Sequence, residues 1–220
     1  MKNLLLLAFV FILILGVFSC EKGGGEKEEN ESITNGLKQG DVLFQTCQYS
    51  SQSEAIALAT DCKYTHVGIL VKNENKWYVY EAVGPVKLTP LKQWIKNGEN
   101  QLFEVKRYKS KKHNFTVSES KKLIQAGLQY KELPYDIYFR WNDQAIYCSE
   151  LVWKIYFYGL NIKLSEPKKL RSYTLNHPVV AKKLLERYGK NIPLDEKMVA
   201  PSDLFHSNKL VSINDFSLPE

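Results

Sequence analysis

The chain is 220 residues long, 44% hydrophobic and 25% charged, with a formal net charge of +6. This is the balance of a globular protein, not of a disordered chain. A multi-span membrane protein is also excluded, because nothing after residue 18 approaches the roughly 18 apolar residues of a span. The charge is uneven: residues 1–19 carry +1, residues 20–35 carry −3, and the remainder carries +8.

Leu4 to Phe18 is a nearly unbroken apolar run behind Lys2, closed by Ser19 and Cys20, which is the pattern of an export signal. Leu15-Gly16-Val17-Phe18-Ser19-Cys20 resembles a bacterial lipoprotein signal, with Phe18 where a smaller residue is usual. The resemblance implies cleavage before Cys20, acylation of that cysteine, and a membrane-anchored chain of the remaining 201 residues in the bacterial cell envelope. Glu21 to Glu31 follows, with five Glu, Lys22, Lys27 and three glycines, and it cannot bury enough surface to order itself. It reads as an acidic tether. Two roles stay open for it: a signal for the outer surface, as in similar stretches of Bacteroidetes lipoproteins, or a plain solvated linker. The membrane face, periplasmic or surface, stays open with them. The expected organisation is a signal at 1–19, an anchor and tether at 20–35, and one folded domain at 36–220.

In the folded part, Asp41 to Phe44 after Gly40 predicts a first strand, and Ser51 to Thr60, apolar residues behind serines able to cap, predicts a helix. His66 to Val71 and Trp77 to Ala82 are β-rich runs either side of Asn73-Glu74-Asn75, which predicts an antiparallel hairpin. A helix at Leu91 to Lys96, a strand at Gln101 to Tyr108, and a helix capped by Ser118 and running to about Tyr130 come next. After the interruption at Leu133-Pro134-Tyr135-Asp136, a helix from Cys148 to Tyr158 is expected to stop at Gly159. A helix near Val179 to Arg187, a turn at Pro201-Ser202-Asp203 and a last strand near Leu210 to Ile213 complete an α+β domain.

Four cysteines (20, 47, 62 and 148) and four histidines (66, 113, 177 and 206) make the search for a nucleophile short. Cys148 sits where a polar loop, Asn142-Asp143-Gln144, turns into an apolar-faced helix. The free N–H groups and partial positive charge of a helix start stabilise a thiolate, and the same N–H groups can receive an oxyanion. Taken alone, Cys148 also fits a small buried apolar residue. His66 begins a strand, and Gly68, two residues on and on the same strand face, leaves room beside the imidazole. Glu81 is a carboxylate embedded among aromatic and aliphatic residues at the end of the next strand. Hairpin arithmetic tests its reach. A four-residue loop at 72–75 faces His66 with Glu81 directly, whereas a two-residue loop at Glu74-Asn75 puts them diagonal on one face; a three-residue loop would separate them. A carboxylate on the second ring nitrogen fixes the tautomer and stabilises the imidazolium, the orienter's role in Cys-His-acid hydrolases. A zinc site from the same residues lacks a fourth ligand and the usual short ligand spacings, so neither metal nor cofactor is expected.

With these residues in hand, the chain resembles the YiiX-like proteins, a circularly permuted branch of the NlpC cell-wall peptidase group within the papain-like superfamily. The matching stretches are Gly40-Asp41-Val42-Leu43-Phe44, Tyr64-Thr65-His66-Val67-Gly68-Ile69, Tyr80-Glu81-Ala82, Pro134-Tyr135-Asp136 and Tyr147-Cys148-Ser149-Glu150-Leu151-Val152, with a weaker likeness at Pro201-Ser202-Asp203-Leu204. Permutation accounts for histidine and acid preceding cysteine in the chain. The resemblance implies a papain-like antiparallel sheet packed against helices and a thiol amidase site: Cys148 as nucleophile, His66 as base then acid, and Glu81 as orienter. It adds Tyr64 and Gln144 as contacts to substrate or oxyanion. Relatives in the wider superfamily cleave murein peptides or move fatty acyl groups. Export and the basic domain favour cell-wall peptides here, with amino-acid amides and lipid amides open. From another class, a catalytically idle lipoprotein holding a muramyl peptide or amino acid would need less than the three residues retained.

Cys47 and Cys62 flank the first helix, and in an oxidising compartment both a disulfide and two separate thiols stay open. The basic run Lys106 to His113 reads as a solvated or anion-facing loop, since an exported protein meets little nucleic acid. No acid stands at motif spacing from His113, His177 or His206, and no function is assigned to them.

Overall fold

The computed structural model describes residues 34–109 and 115–213. The expected anchor Cys20, the signal, Glu21 to Glu31 and His113 lie outside them. Gly36–Glu220 forms one unit by its internal contacts. Its elements run β1 (Val42–Cys47), α1 (Ser51–Thr60), β2 (His66–Asn73), β3 (Lys76–Ala82), β4 (Val86–Pro90), α2 (Leu91–Lys96), β5 (Gly98–Tyr108), α3 (Val117–Leu128), α4 (Cys148–Leu160), β6 (Lys168–Lys169), α5 (Pro178–Tyr188), β7 (Lys197–Met198), α6 (Pro201–Phe205) and β8 (Leu210–Ser212).

Six strands make one antiparallel sheet in the order β4-β3-β2-β1-β5-β8, and β6 pairs with β7 as a small ribbon. Strand alternation sends Val42, Phe44, Val67, Ile69, Tyr80 and Ala82 to one face, where they form a core with Leu151, Val152, Ile155 and Tyr156 of α4. Each such fully buried side chain contributes roughly 1.5–3 kcal/mol. Leu43, Leu70 and Val79, equally buried, occupy the opposite face by the same alternation. At the β2–β3 turn, Asn73 pairs with Lys76, so the loop is the two residues Glu74 and Asn75. Both have positive φ, 47° and 62°, as a type I′ turn requires. Of the registers considered from sequence, this is the diagonal one.

Three boundaries differ from expectation for identifiable reasons. The cap of α3 is Thr116, not Ser118: its hydroxyl accepts from the N–H of Glu119, whose carboxylate accepts from the N–H of Thr116, a capping box. Helix α4 runs through Gly159 to Leu160 and closes on Asn161 in the left-handed conformation. Gly159 marks a helix crossing and not a stop, because a Cβ there would lie 3.2 Å from the backbone of Lys122 and Leu123 in α3. The residues Pro201-Ser202-Asp203 open a helix, with Pro201 at its first position and Asp203 accepting from the N–H of Ala200 at 2.7 Å. His177 caps α5, its ring nitrogen accepting from the N–H of Val179.

Candidate active site

Cys148 opens α4, and two bonds to the backbone of one residue, Val199, pin the residues on either side of it. The Ser149 hydroxyl donates to the Val199 carbonyl at 2.7 Å, and the Val199 N–H donates to the Tyr147 hydroxyl at 3.2 Å. On the preceding side, Ile146 lies in a parallel bridge with Tyr135, held by Ile146 N–H to Pro134 O at 3.0 Å and Asp136 N–H to Ile146 O at 3.2 Å. The nucleophile candidate is thus fixed at the helix start from both sides.

His66, the first residue of β2, is brought to Cys148 by the sheet. Its Nε2 lies 2.6 Å from Oε2 of Glu81, and the other carboxylate oxygen accepts from the Thr89 hydroxyl at 2.5 Å. With Nε2 given to the carboxylate, Nδ1 is the nitrogen left for the hydrogen bond with Cys148. Histidine, glutamate, threonine and cysteine are all buried. Gly68 stands opposite Glu81 in the β2–β3 register, and a Cβ on it would come within 2.3 Å of Val79 Cγ1 and 3.4 Å of Glu81 Cβ. The missing side chain therefore makes room for the Val79 and Glu81 side chains.

The electrostatics favour a separated charge. Burial pushes the Cys148 thiol up, but the hydrogen bond and charge of His66, with the N–H groups of Val67 and Ser149, outweigh it and leave the thiol below its ordinary range. Burial pulls His66 down, yet the hydrogen bonds to Cys148 and Glu81 hold it well above the usual imidazole range. Glu81, pushed up by burial, is brought below the usual carboxylate range by His66 and then by Thr89. Such a set can hold a thiolate beside an imidazolium and move one proton between sulfur and a departing group.

Two neighbours were not singled out from sequence. The Tyr135 hydroxyl lies beside Cys148 in the same pocket wall and receives the Gln52 amide at 3.5 Å, while Gln52 accepts from Arg187 at 2.9 Å. Burial, then the charges of Cys148 and Cys47, keep this phenol well above its ordinary range, so it stays a donor. Thr89 is the other. Tyr64 and Gln144, expected at the site, are placed elsewhere: Tyr64 donates to Glu104 at 2.8 Å and stacks near Phe205, and Gln144 is an exposed loop residue whose N–H is held by Asn142. Cys47 and Cys62 stand as separate thiols in this structure. Cys47, at the bulged end of β1, faces the charges of His66 and Cys148, whereas Cys62 packs against the core from the turn after α1.

A cysteine at a helix start, a histidine on the adjoining sheet and an acid behind it define the papain-like class of thiol hydrolase folds. Comparison narrows the class: the profile of the permuted papain-like amidases of the YaeF/YiiX type, peptidase family C92, matches residues 36–214, and the chain belongs to that family. The chain is 47% identical over 174 residues to an uncharacterized protein, YiiX, of Escherichia coli strain K12, covering 79% of this chain and 84% of that one. A crystal structure from Escherichia coli O157:H7, titled metalloprotein yiiX, superposes with a TM-score of 0.78 at 45% identity, covering 83% of this chain and 98% of that chain. Among the described residues, no group of three or more His, Cys, Asp or Glu side chains is gathered in a way that fits a metal ion.

Proposed function

We propose that the protein is an exported, lipid-anchored cysteine amidase that cleaves small amides of the cell envelope through a thioester on Cys148. The observation that carries this reading is the buried relay from Cys148 through His66 to Glu81 and Thr89, with a depressed thiol at one end and a depressed carboxylate at the other. In the acylation step, Sγ bonds to the carbonyl carbon, the developing oxyanion is met by the Tyr135 hydroxyl and the N–H groups at the start of α4, and His66 gives its proton to the departing nitrogen as the C–N bond breaks. Water then gives a proton to His66, attacks the thioester, and releases the acid and the free cysteine. Glu81 keeps the imidazole in one tautomer throughout. A catalytically idle binding lipoprotein would not need a relay of this kind.

The test is alkylation by iodoacetamide. Cys148 should react near neutral pH ahead of Cys47 and Cys62 and lose that reactivity in His66→Ala. An inert Cys148 beside a reacting Cys47 or Cys62 sinks the reading. On any amide the protein turns over, Cys148→Ala should leave no measurable rate.

A further inference from the structure

We infer that the chain carries a second, non-catalytic binding site, a polar recess between the end of α1 and α6 that takes the hydroxylated ring of a hexopyranose. The recess spans about 930 Å³ with its open mouth included, within the range of small-molecule sites. Its walls are the end of α1, the residues ahead of β6, the turn at Tyr173, and α6 with His206 after it. None of Cys148, His66 and Glu81 lines it, so a sugar there is held and not cleaved. The observation that points to a ligand is Ser202, from the Pro201-Ser202-Asp203-Leu204 stretch that the relay does not use. It is 5% exposed and lines the recess, and its hydroxyl has no hydrogen-bond partner among the described residues. Ser165, ahead of β6, repeats the pattern with a buried, unpartnered Oγ. Two hydroxyls left unpaired in one recess cost stability unless a polar molecule meets them.

The chemistry of the walls selects the ligand. A carbonyl only accepts, so Nδ1 of His206, 3.0 Å from Ser202 O, carries the proton, and Nε2 is left as an acceptor in the neutral ring. Asp61 and Glu166 add carboxylates, and Lys168, the one ammonium among the described lining residues, is paired with Asp203 at 2.6 Å. An anion is therefore disfavoured. An ammonium would suit the carboxylates but offers no acceptor to the protons of the Ser165 and Ser202 hydroxyls. A sugar hydroxyl both donates and accepts, and several on one rigid ring meet both kinds of group at little cost in ordering. The Tyr173 ring, fixed by the bond of its hydroxyl to Asp203, gives the apolar C–H face of such a sugar a flat surface.

The experiment is a titration of the full chain with the methyl glycosides of glucose, galactose, mannose and N-acetylglucosamine, followed by the ring-proton NMR resonances of its four histidines. The His206 resonance is identified by its loss in His206→Gln. At least one glycoside should shift it saturably and leave the resonances of His66 and His177 in place. Cys148→Ala should bind that glycoside as the native protein does, because the site stands apart from the thioester reading. Ser202→Ala should weaken binding by about five- to tenfold. Should that variant not fold, Thr174→Trp, at an exposed residue of the recess wall, should abolish the shift. A His206 resonance that no glycoside moves overturns the assignment and leaves the recess to water. A shift at His66 in its place overturns it by putting the sugar at Cys148. A shift at His206 from putrescine but from none of the glycosides overturns it in favour of an amine, and undiminished binding in the folded variants overturns it as well.

Discussion

At the scale of single residues, the Cys148–His66 pair determines the pH behaviour. The thiol sits below its ordinary range, so the reactive thiolate persists to lower pH than that of an ordinary cysteine and is lost as pH falls through the depressed value. Turnover also needs a protonated His66 for the leaving nitrogen, and that proton is lost only as pH rises through the raised imidazole value. Alkylation should therefore rise once and plateau, while kcat/KM should be bell-shaped, with its alkaline limb above the usual imidazole range. Glu81→Gln removes the carboxylate that holds the imidazolium. It should narrow the bell from both sides and cut kcat by roughly 10²- to 10⁴-fold, with a measurable remainder. An unchanged profile would mean that Glu81 does not act through His66. Tyr135→Phe separates a different contribution: if the phenol donates to the oxyanion, kcat should fall by roughly 10²-fold or more with little change in KM, and rapid alkylation of Cys148 should persist.

At the scale of elements, α4 carries a second buried charge that the reaction does not use. Glu150 is fully buried two residues after Cys148; its Oε1 lies 2.8 Å from Lys154 Nζ, while the better hydrogen bonds of that ammonium go to Asn142 O and Asp143, both at 2.7 Å. Burial pushes the Glu150 carboxyl up to about 8, with Lys154 opposing and Asp136 adding to the rise. A folded-state value above the unfolded one gives stability that is complete below about pH 4.5 and lost as pH rises towards 8. The urea midpoint of the native protein should thus fall between pH 5 and pH 8.5, and Glu150→Gln should fall less over the same interval. A slope identical in the two proteins would refute the assignment. Elements also explain what could be read in advance. The His66–Glu81 meeting was legible because strand periodicity puts both residues on one face for every even turn length, of which the two-residue turn is the one found, and Cys148 was legible because a polar loop gives way to an apolar helix at that residue. Thr89 was not, because β4 is a short edge strand whose alternation, Val86-Lys87-Leu88-Thr89, sets Thr89 on the polar side of the pattern, where nothing announces burial. Tyr135 reaches Cys148 through a parallel bridge to Ile146, a pairing that no local periodicity announces. Tyr64 and Gln144 were assigned through the family resemblance, but one turns to Glu104 on β5 and the other to solvent.

At the scale of the whole molecule, the net +6 divides into +1 on residues 1–19, −3 on residues 20–35 and +8 on the remainder. Under the proposed lipid anchor, two forces would hold the protein at an envelope: an acyl group on Cys20, and attraction of the basic body to anionic surface. They differ in their response to salt, because surface charge attraction is largely screened beyond about 10 Å at 0.1 M while acyl insertion is not. The lipid-anchor proposal predicts that the native protein stays with membranes through a wash at high salt and partitions into detergent. Cys20→Ser should be found in the soluble fraction at that salt. Its Cys148 should alkylate at the native rate, since Gly36–Glu220 has a core and a relay of its own. If the native protein is released by salt alone, the basic body is what holds it, and if Cys20→Ser resists the wash like the native protein, the anchor lies elsewhere.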